Sequence, residues 1–229
     1  MRTRLEPVVV SLCQEVAKVL EARPIRALTE QAARNQLVGC VLSSQVRHAS
    51  AVQWTGALIA AGFLDDSWWY SQRSAEYGRR LSAFLSGRAR LSRGLGAYRF
   101  PQARATQIAG ARDSISAMPL LERLSIQVST LQLRRSLASD IPGLGPKQTS
   151  MMLRNLGISL DLAVIDRYVL RFMQSVRLVG AETRLPTSFP EYERIENRLA
   201  EYARSLGYSL GCMDWAIWAT MKAADEVAA

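Results

Sequence analysis

Apolar residues recur every three or four positions along most of this chain, which is the spacing of an α-helix with one buried face. The triplet Val8–Val10 alone suggests a strand, but it lies inside an amphipathic segment, 7–22, that stops before Pro24. We therefore predict an all-α fold of about ten helices joined by short connections. The predicted helices cover residues 7–22, 29 to about 44, 48–61, 65 or 66 to 85, 102–117, 119–126, 130–139, 146–156, 166–174, 188–205 and 211 into the tail.

Polar residues at the predicted helix starts support these boundaries. Thr29, Asp166 and Ser188 each precede an apolar periodic stretch, where a side-chain oxygen can accept a free backbone N–H. Ser188 is followed by Glu191 at capping-box spacing. Irregular structure is expected at 175–187 and in the Gly- and Arg-rich stretch 87–101.

We find no internal repeat and no linker long enough to separate independent domains. A chain of 229 residues, 48% of them hydrophobic, can bury a sizeable core as a single domain over 1–229. No apolar run reaches the length that spans a bilayer, so no membrane partner is expected. The first residues also lack the pattern of a secretory signal, which favours a cytoplasmic protein.

The chemistry-bearing residue types are few. Cys13, Cys40 and Cys212 are far apart and odd in number, as expected of buried thiols in a reducing compartment. They offer neither zinc spacing nor the four thiolates of an iron–sulfur cluster. His48 is the only histidine, which excludes His-based metal sites and Ser-His-Asp catalysis. We therefore expect no metal and no cofactor.

The net charge is +9 and the pI is near 10, with 29 basic residues against 20 acidic ones. This balance favours binding to a polyanion through phosphate contacts and counterion release. Composition alone is equally compatible with a basic protein that binds no nucleic acid.

The most informative motif is Ile-Pro-Gly-Leu-Gly-Pro-Lys at 141–147, followed about nineteen residues later by Asp166 in Ala-Val-Ile-Asp-Arg-Tyr. A Gly143-x-Gly145 turn that opens a helix exposes backbone amides suited to a phosphate, although the glycines would also serve a turn alone. An amine in the first turn of that helix loses its proton more readily, because the helix N-terminus disfavours positive charge. Lys147 could then attack C1′ of a deoxyribose and form a Schiff base.

Asp166 would stabilise the positive charge that develops on the sugar during this attack. Each residue also has a simpler interpretation. Lys147 could contact a phosphate only, and Asp166 could serve only as a helix cap.

The motif resembles that of the helix-hairpin-helix DNA glycosylase superfamily, whose bifunctional members carry a catalytic Lys after a Gly-rich hairpin and an Asp further on. The resemblance implies two packed helical subdomains with the active-site cleft between them. The hairpin would occupy about 130–156, the N-terminal helix and 157–229 would form one subdomain, and about 28–130 the other. The implied partner is double-stranded DNA containing a damaged or modified base, bound by a monomer in a prokaryotic cytoplasm, in association with the nucleoid.

Three further stretches resemble the same superfamily: Leu42–Gln45, 98–105 and Asp214–Trp218. The first is similar to the segment inserted near an extruded nucleotide. Gln45 would fill the gap left by the flipped base or would be an ordinary polar helix end. The candidate contacts to the DNA backbone, each of which could instead be a solvated surface residue, are Arg47, His48, Arg99 and Arg104.

The third stretch resembles the C-terminal helix of the type 2 8-oxoguanine DNA glycosylase/AP lyases. There Trp218 would form an aromatic platform for the base, or would pack in the core with Trp215. Asp214 would accept a purine N–H, or would cap the last helix.

The sequence differs from these relatives in two places that bear on the substrate. Tyr168 stands where relatives commonly have His. The type 2 enzymes tend to end on a lysine that recognises the lesion, whereas here Lys222 is followed by seven more residues. Endonuclease-III-like relatives carry an iron–sulfur cluster, which the three cysteines of this chain cannot hold. The resemblance therefore argues against thymine-glycol-type chemistry. We predict a bifunctional DNA glycosylase/AP lyase that excises an oxidised purine, with 8-oxoguanine as the leading candidate. The alternatives are a DNA-binding module without turnover, and a glycosylase-like protein that acts on a modified nucleobase in a defence or modification operon.

Overall fold

The structure, a computed structural model, describes residues 5–21, 28–71, 73–87 and 97–227. These ranges contain helices and no strand, which confirms the predicted all-α fold. Most of the predicted Gly- and Arg-rich loop, 88–96, lies outside them. The helices of the described residues are α1 (Glu6–Glu21), α2 (Glu30–Leu42), α3 (His48–Ala60), α4 (Asp66–Ser71), α5 (Ser74–Ser86), α6 (Pro101–Ala117), α7 (Leu120–Leu124), α8 (Thr130–Asp140), α9 (Pro146–Asn155), α10 (Arg167–Ser175), α11 (Phe189–Ser205) and α12 (Leu210–Val227).

Most helix starts agree with the predicted caps. Thr29 Oγ1 accepts the amide of Ala32 at 3.1 Å. Ser188 Oγ accepts the amide of Glu191 at 3.4 Å, but the Glu191 carboxylate accepts the amide of Thr187 at 3.2 Å instead of that of Ser188. The predicted capping box is therefore only half formed.

The continuous helix predicted from Asp65 or Asp66 to Leu85 is wrong, because this stretch forms two helices, α4 and α5. The rings of Trp69 and Tyr77 lie 5.6 Å apart, and both side chains are fully buried. Residues eight apart on one helix would be separated by about 12 Å along its axis. The break between α4 and α5 thus allows both rings to enter one core.

The chain divides into two compact units, Ala27–Leu156 and the combination of Met1–Arg26 with Gly157–Ala229. In the second of these, α1, α10, α11 and α12 surround a core that includes Cys13, Phe172 and Met213. The hairpin helices α8 and α9 belong to the first unit, where α9 also packs against α2. Among the helices of the described residues, none has both the length and the apolar composition needed to cross a membrane.

A buried cation stabilises the Ala27–Leu156 unit. The Arg34 side chain is fully buried, and its guanidinium lies over the rings of Trp69 and Tyr70, at 5.1 and 5.5 Å from their centroids. The same guanidinium pairs with Asp66. These contacts offset part of the hydration that the buried charge loses, while Nε and Nη1 of Arg34 have no hydrogen-bond partner among the described residues.

Candidate active site

The hairpin turn joins α8 to α9 and requires glycine at position 143. Gly143 has φ +89°, a conformation that residues with a side chain rarely adopt. A β-carbon there would also lie 3.1 Å from the Val41 methyl carbons and 3.1 Å from Cβ of Gln107. Gly143 therefore permits both the backbone conformation and the close packing of the turn on α2 and α6.

Gly145 contributes in a different way. It is the N-cap of α9 with an extended backbone (φ −107°) and no side-chain cap, and Pro146 occupies the first turn. The Gly145 carbonyl accepts the amide and the hydroxyl of Thr149, at 3.0 and 2.9 Å. In the described part of the chain we find no protein acceptor for the amides of Gly143 and Gly145, so this turn can receive an anion.

The hairpin is held internally by a buried cation. Arg134 of α8 is fully buried, and its Nη1 donates to Ser150 Oγ of α9 at 3.0 Å. The first turn of α8 carries a complete capping box formed by Ser129 and Gln132, which the sequence analysis did not identify. The bond from Arg134 to Ser150 joins the two helices of the hairpin, whereas the capping box stabilises only the start of α8.

Lys147 lies in the first turn of α9 and is half-buried. Burial raises the pKa of the Cys40 thiol on α2 to about 11, whereas the hydrogen bond from Gln36 and the positive charges of Lys147 and Arg154 favour the thiolate. Within the Ala27–Leu156 unit, no acidic side chain among the described residues forms an ion pair with Lys147. The chain has three lysines, and the other two are paired, Lys18 with Glu15 and Lys222 with Glu226.

Asp166 is the N-cap of α10, as predicted. Its Oδ1 accepts the amides of Tyr168 and Val169, at 2.8 and 3.0 Å. Neither of these bonds uses Oδ2. The cap thus fixes the orientation of the carboxylate and leaves one oxygen for another role, so capping and catalysis are compatible functions of Asp166.

Asp214 lies in the second turn of α12, so the alternative that it caps this helix is wrong. The amide of Cys212 instead donates to Ser209 Oγ at 3.3 Å. The Asp214 side chain is 1% exposed, and its Oδ2 accepts the amide of Val164 at 3.1 Å. This bond connects Asp214 with the segment that leads into Asp166.

Trp218 is half-buried on α12 and packs edge-on against Trp215, with ring centroids 5.7 Å apart. The ammonium of Lys222 lies 4.9 Å from the centroid of the Trp218 ring. The helix therefore presents an aromatic ring and a cation next to each other.

The turn after α2 is held by side chains from the 98–104 region. The buried Tyr98 hydroxyl donates to the Leu42 carbonyl at 2.6 Å. Arg104 Nη2 donates to the Ser44 carbonyl at 3.1 Å, and Arg99 Nη1 to the Gln45 carbonyl at 3.3 Å.

Three side-chain contacts thus fix a turn in which the exposed Gln45 has φ +61°. Arg104 is only 8% exposed, and its Nη1 also donates to Gln107 Oε1 at 2.7 Å. Arg99 is exposed and lies over the Phe100 ring at 4.9 Å. Arg47 and His48, at the start of α3, are both exposed.

The predicted site residues are divided between the two units. The Ala27–Leu156 unit contains both glycines of the hairpin and Gln45, Arg47, His48, Arg99, Arg104 and Lys147. Asp166, Asp214 and Trp218 belong to the other unit. Among the residues that the structure describes, no group of three His, Cys, Asp or Glu side chains could hold a metal ion.

Other residues near the candidate site carry no signal in the local sequence. Gly110 of α6 packs against the hairpin, since a β-carbon on Gly110 would lie 3.1 Å from Pro142 Cγ. Tyr192 and Glu196 of α11 hold the backbone before Asp166. No local pattern marks these residues, because they act through contacts with segments far away in the sequence.

Residues 22–208 match the sequence profile of the Ogg-HhH family, described as 8-oxoguanine DNA glycosylase. The chain therefore belongs to this family of helix-hairpin-helix proteins, which confirms the resemblance inferred from the hairpin motif.

Individual relatives agree with this assignment. The chain is 34% identical over 121 residues to the 8-oxoguanine DNA glycosylase/AP lyase of Saccharolobus islandicus, a match that covers 53% of this chain and 58% of that protein. It is 28% identical over 204 residues to the protein of the same description from Metallosphaera sedula, covering 88% and 87%.

The fold is similar to that of the Methanocaldococcus jannaschii 8-oxoguanine glycosylase/lyase, crystallised with a 15mer DNA containing 8-oxoguanine. The TM-score is 0.63 at 21% identity, over 94% of this chain and 90% of that one.

Proposed function

We propose that this protein is a bifunctional DNA glycosylase/AP lyase that excises an oxidised purine, with 8-oxoguanine as the leading substrate. The observation that carries the proposal is the position of Lys147: a lysine without an acidic partner in its own unit, in the first helical turn after a Gly-x-Gly hairpin. Family membership and the printed activity of relatives such as the M. sedula protein support the same assignment.

The proposed chemistry begins with attack of the neutral Lys147 amine on C1′ of the damaged nucleotide. The new C–N bond forms as the glycosidic bond breaks, and the base leaves with the electron pair and takes up a proton. Loss of a proton from the new C1′-bound nitrogen, and opening of the sugar ring with uptake of a proton by O4′, give a protonated Schiff base. Removal of a C2′ proton then expels the 3′ phosphate by β-elimination, which cuts the strand.

Asp166 is proposed to act on the same sugar. Positive charge develops on the deoxyribose as the base leaves, and a fixed carboxylate stabilises that charge without having to reorient. The Oδ1 cap and the uncommitted Oδ2 support this role. The carboxylate can also carry a proton between the amine and the departing base.

DNA binding is assigned to the hairpin and to the turn after α2. The amides of Gly143 and Gly145 suit a backbone phosphate, and the exposed side chains of Arg47, His48 and Arg99 add positive or donor groups. Gln45 is proposed to occupy the space left by the everted nucleotide, whose extrusion costs a few kcal/mol. Arg104 stabilises this turn by donating to the Ser44 carbonyl.

Trp218 is proposed as the platform on which the everted base stacks, and Asp214 as a residue close to the base-binding region. We also propose that the protein acts as a monomer on double-stranded DNA in the prokaryotic cytoplasm, in association with the nucleoid.

The test is borohydride trapping on duplexes that carry 8-oxoguanine, other damaged bases or an abasic site. Borohydride reduces a Schiff base to a stable covalent adduct, so the wild-type protein should form a protein–DNA band on the 8-oxoguanine duplex. Lys147→Gln should abolish the band, whereas Lys18→Gln and Lys222→Gln should retain an adduct. With only three lysines in the chain, these variants assign the nucleophile directly.

Each outcome has a clear meaning. A wild-type protein that binds damaged and intact duplexes equally and forms no adduct on any substrate would be a DNA-binding module instead. An adduct that forms only on a base other than an oxidised purine would overturn the proposed substrate and keep the proposed mechanism. An adduct that persists in Lys147→Gln would overturn the assigned nucleophile.

A further inference from the structure

The backbone that leads into Asp166 is buried but has no regular secondary structure. Leu162, Ala163, Val164 and Ile165 are each at most 5% exposed, and none of them belongs to a helix. Buried amides outside helices and sheets need partners from elsewhere in the fold, because an unpaired amide is costly. The identity of these partners determines how firmly the segment is held.

Three side chains accept the three consecutive amides of this segment. The amide of Ala163 donates to Glu196 Oε1 at 2.9 Å. The amide of Val164 donates to Asp214 Oδ2 at 3.1 Å, and that of Ile165 to the Tyr192 hydroxyl at 3.0 Å.

All three acceptors are buried. Glu196 is 3% exposed, and Asp214 and Tyr192 are each 1% exposed. Buried hydrogen bonds of this kind are costly to lose, because the amide left behind has no access to water. Side chains of α11 and α12 therefore hold three consecutive amides of the segment.

Tyr192 contributes twice. Its hydroxyl accepts the Ile165 amide and also donates to the Ala163 carbonyl at 2.7 Å. One hydroxyl thus fixes the two peptide groups on either side of Val164, two residues before Asp166. On the other side of Asp166, its own Oδ1 fixes the amides of Tyr168 and Val169.

We infer that Tyr192, together with Glu196 and Asp214, is a positioning residue for Asp166 and acts through the Ala163–Ile165 backbone. The inference rests on the proposed function, since it concerns how the carboxylate is held for work on the sugar. Electrostatic stabilisation requires a charge that is in place before the transition state forms. A carboxylate at the end of an irregular segment meets this requirement only if the segment itself is immobile.

The experiment compares Tyr192→Phe with the matched control Tyr77→Phe. Tyr77 is also fully buried, and its hydroxyl donates to the Phe63 carbonyl at 3.2 Å in the other unit. Both variants lose a buried hydroxyl, so both should lose thermal stability. Only Tyr192→Phe should slow single-turnover excision of 8-oxoguanine, by between about tenfold and a hundredfold, because small misplacements of catalytic groups have effects of this size.

Affinity for a duplex containing a tetrahydrofuran abasic analogue should change less than about twofold in both variants, because ground-state binding does not depend on an interaction made only in the transition state. The conservative variant Glu196→Gln keeps an oxygen that can accept the Ala163 amide and should retain most of the rate. Glu196→Leu should not. A purely structural role would instead lower the rate only in proportion to the folded fraction, in the variants of both tyrosines.

Amide hydrogen exchange gives a second measurement that does not depend on activity. In Tyr192→Phe the amides of Tyr168 and Val169 should exchange faster than in the wild type, since a loosened Asp166 holds them less well. Unchanged exchange at these amides would overturn the inference, and so would an active wild-type protein whose excision rate is not slowed in Tyr192→Phe. A wild-type protein without excision activity, but with the expected change in exchange, would instead refute the proposed function and leave the positioning of Asp166 established.

Discussion

A β-carbon placed on Gly143 would lie 3.1 Å from both methyl carbons of Val41, so the hairpin turn rests directly on α2. Gly143→Ala should therefore destabilise the protein in two ways. A left-handed conformation costs a residue with a side chain about 1–2 kcal/mol, and overpacking against Val41 and Gln107 adds about 1–3 kcal/mol. Urea unfolding measures the sum, and affinity for duplex DNA should fall as the turn is displaced.

Gly157→Ala is the matched control for this prediction. Gly157 also has a positive φ, +77°, but no atom lies within 4 Å of its β-carbon position, so only the conformational cost applies. Combining Val41→Ala with Gly143→Ala should restore part of the difference. If both glycine variants lose the same free energy of unfolding, the packing of Gly143 against Val41 does not contribute to stability.

Substitutions at Asp166 should separate its two roles. Asp166→Asn keeps an oxygen for the amides of Tyr168 and Val169, so the free energy of unfolding should stay close to that of the wild type. Asp166→Ala also removes the cap and should lose about 1 kcal/mol more. Both variants should slow base excision by about a hundredfold or more, since each removes the charge that we propose stabilises the sugar. Single-turnover assays beside urea titrations test this, and a normal excision rate in Asp166→Asn would limit the residue to capping.

Gln45→Gly should uncouple stability from function. Gln45 has φ +61°, a conformation that glycine adopts without strain. The variant should therefore be at least as stable as the wild type, to within about 1 kcal/mol in the free energy of unfolding. The preference for lesion-containing duplex over intact duplex should nevertheless fall, because the side chain proposed to fill the vacated space is absent. Arg177→Gly is the control, since Arg177 has the similar φ of +63° in the other unit. If both variants discriminate like the wild type, Gln45 has no part in lesion binding.

The buried thiols should make the protein less stable in alkali. Burial raises the pKa of Cys13 and of Cys40 from 9.0 to about 11. An unfolded chain therefore releases these protons before the folded one does, so the stabilisation present below pH 9 is lost as the pH rises towards about 11. Urea unfolding across this window should show a decline that is less steep in Cys40→Ala than in the wild type. Identical slopes in the two proteins would contradict the prediction for Cys40.

Much of the fold follows from local patterns. The helical period, the Thr29 and Asp166 caps and the glycine hairpin each depend on residues that are close in sequence, so their geometry is decided within one or two turns of helix. The catalytic candidates were found for the same reason, since Lys147 and Asp166 stand at the starts of α9 and α10. Their types and positions identify the family before any contact is known.

The tertiary structure decided what no local pattern contains. The break between α4 and α5 brings Trp69 and Tyr77 into one core, and Arg104 binds a carbonyl of the turn after α2. Glu196, Asp214 and Tyr192 hold the segment before Asp166 from two later helices. Such partners are chosen by the packing of whole helices, because a buried amide is satisfied by whichever acceptor the fold brings within reach, at any distance along the chain.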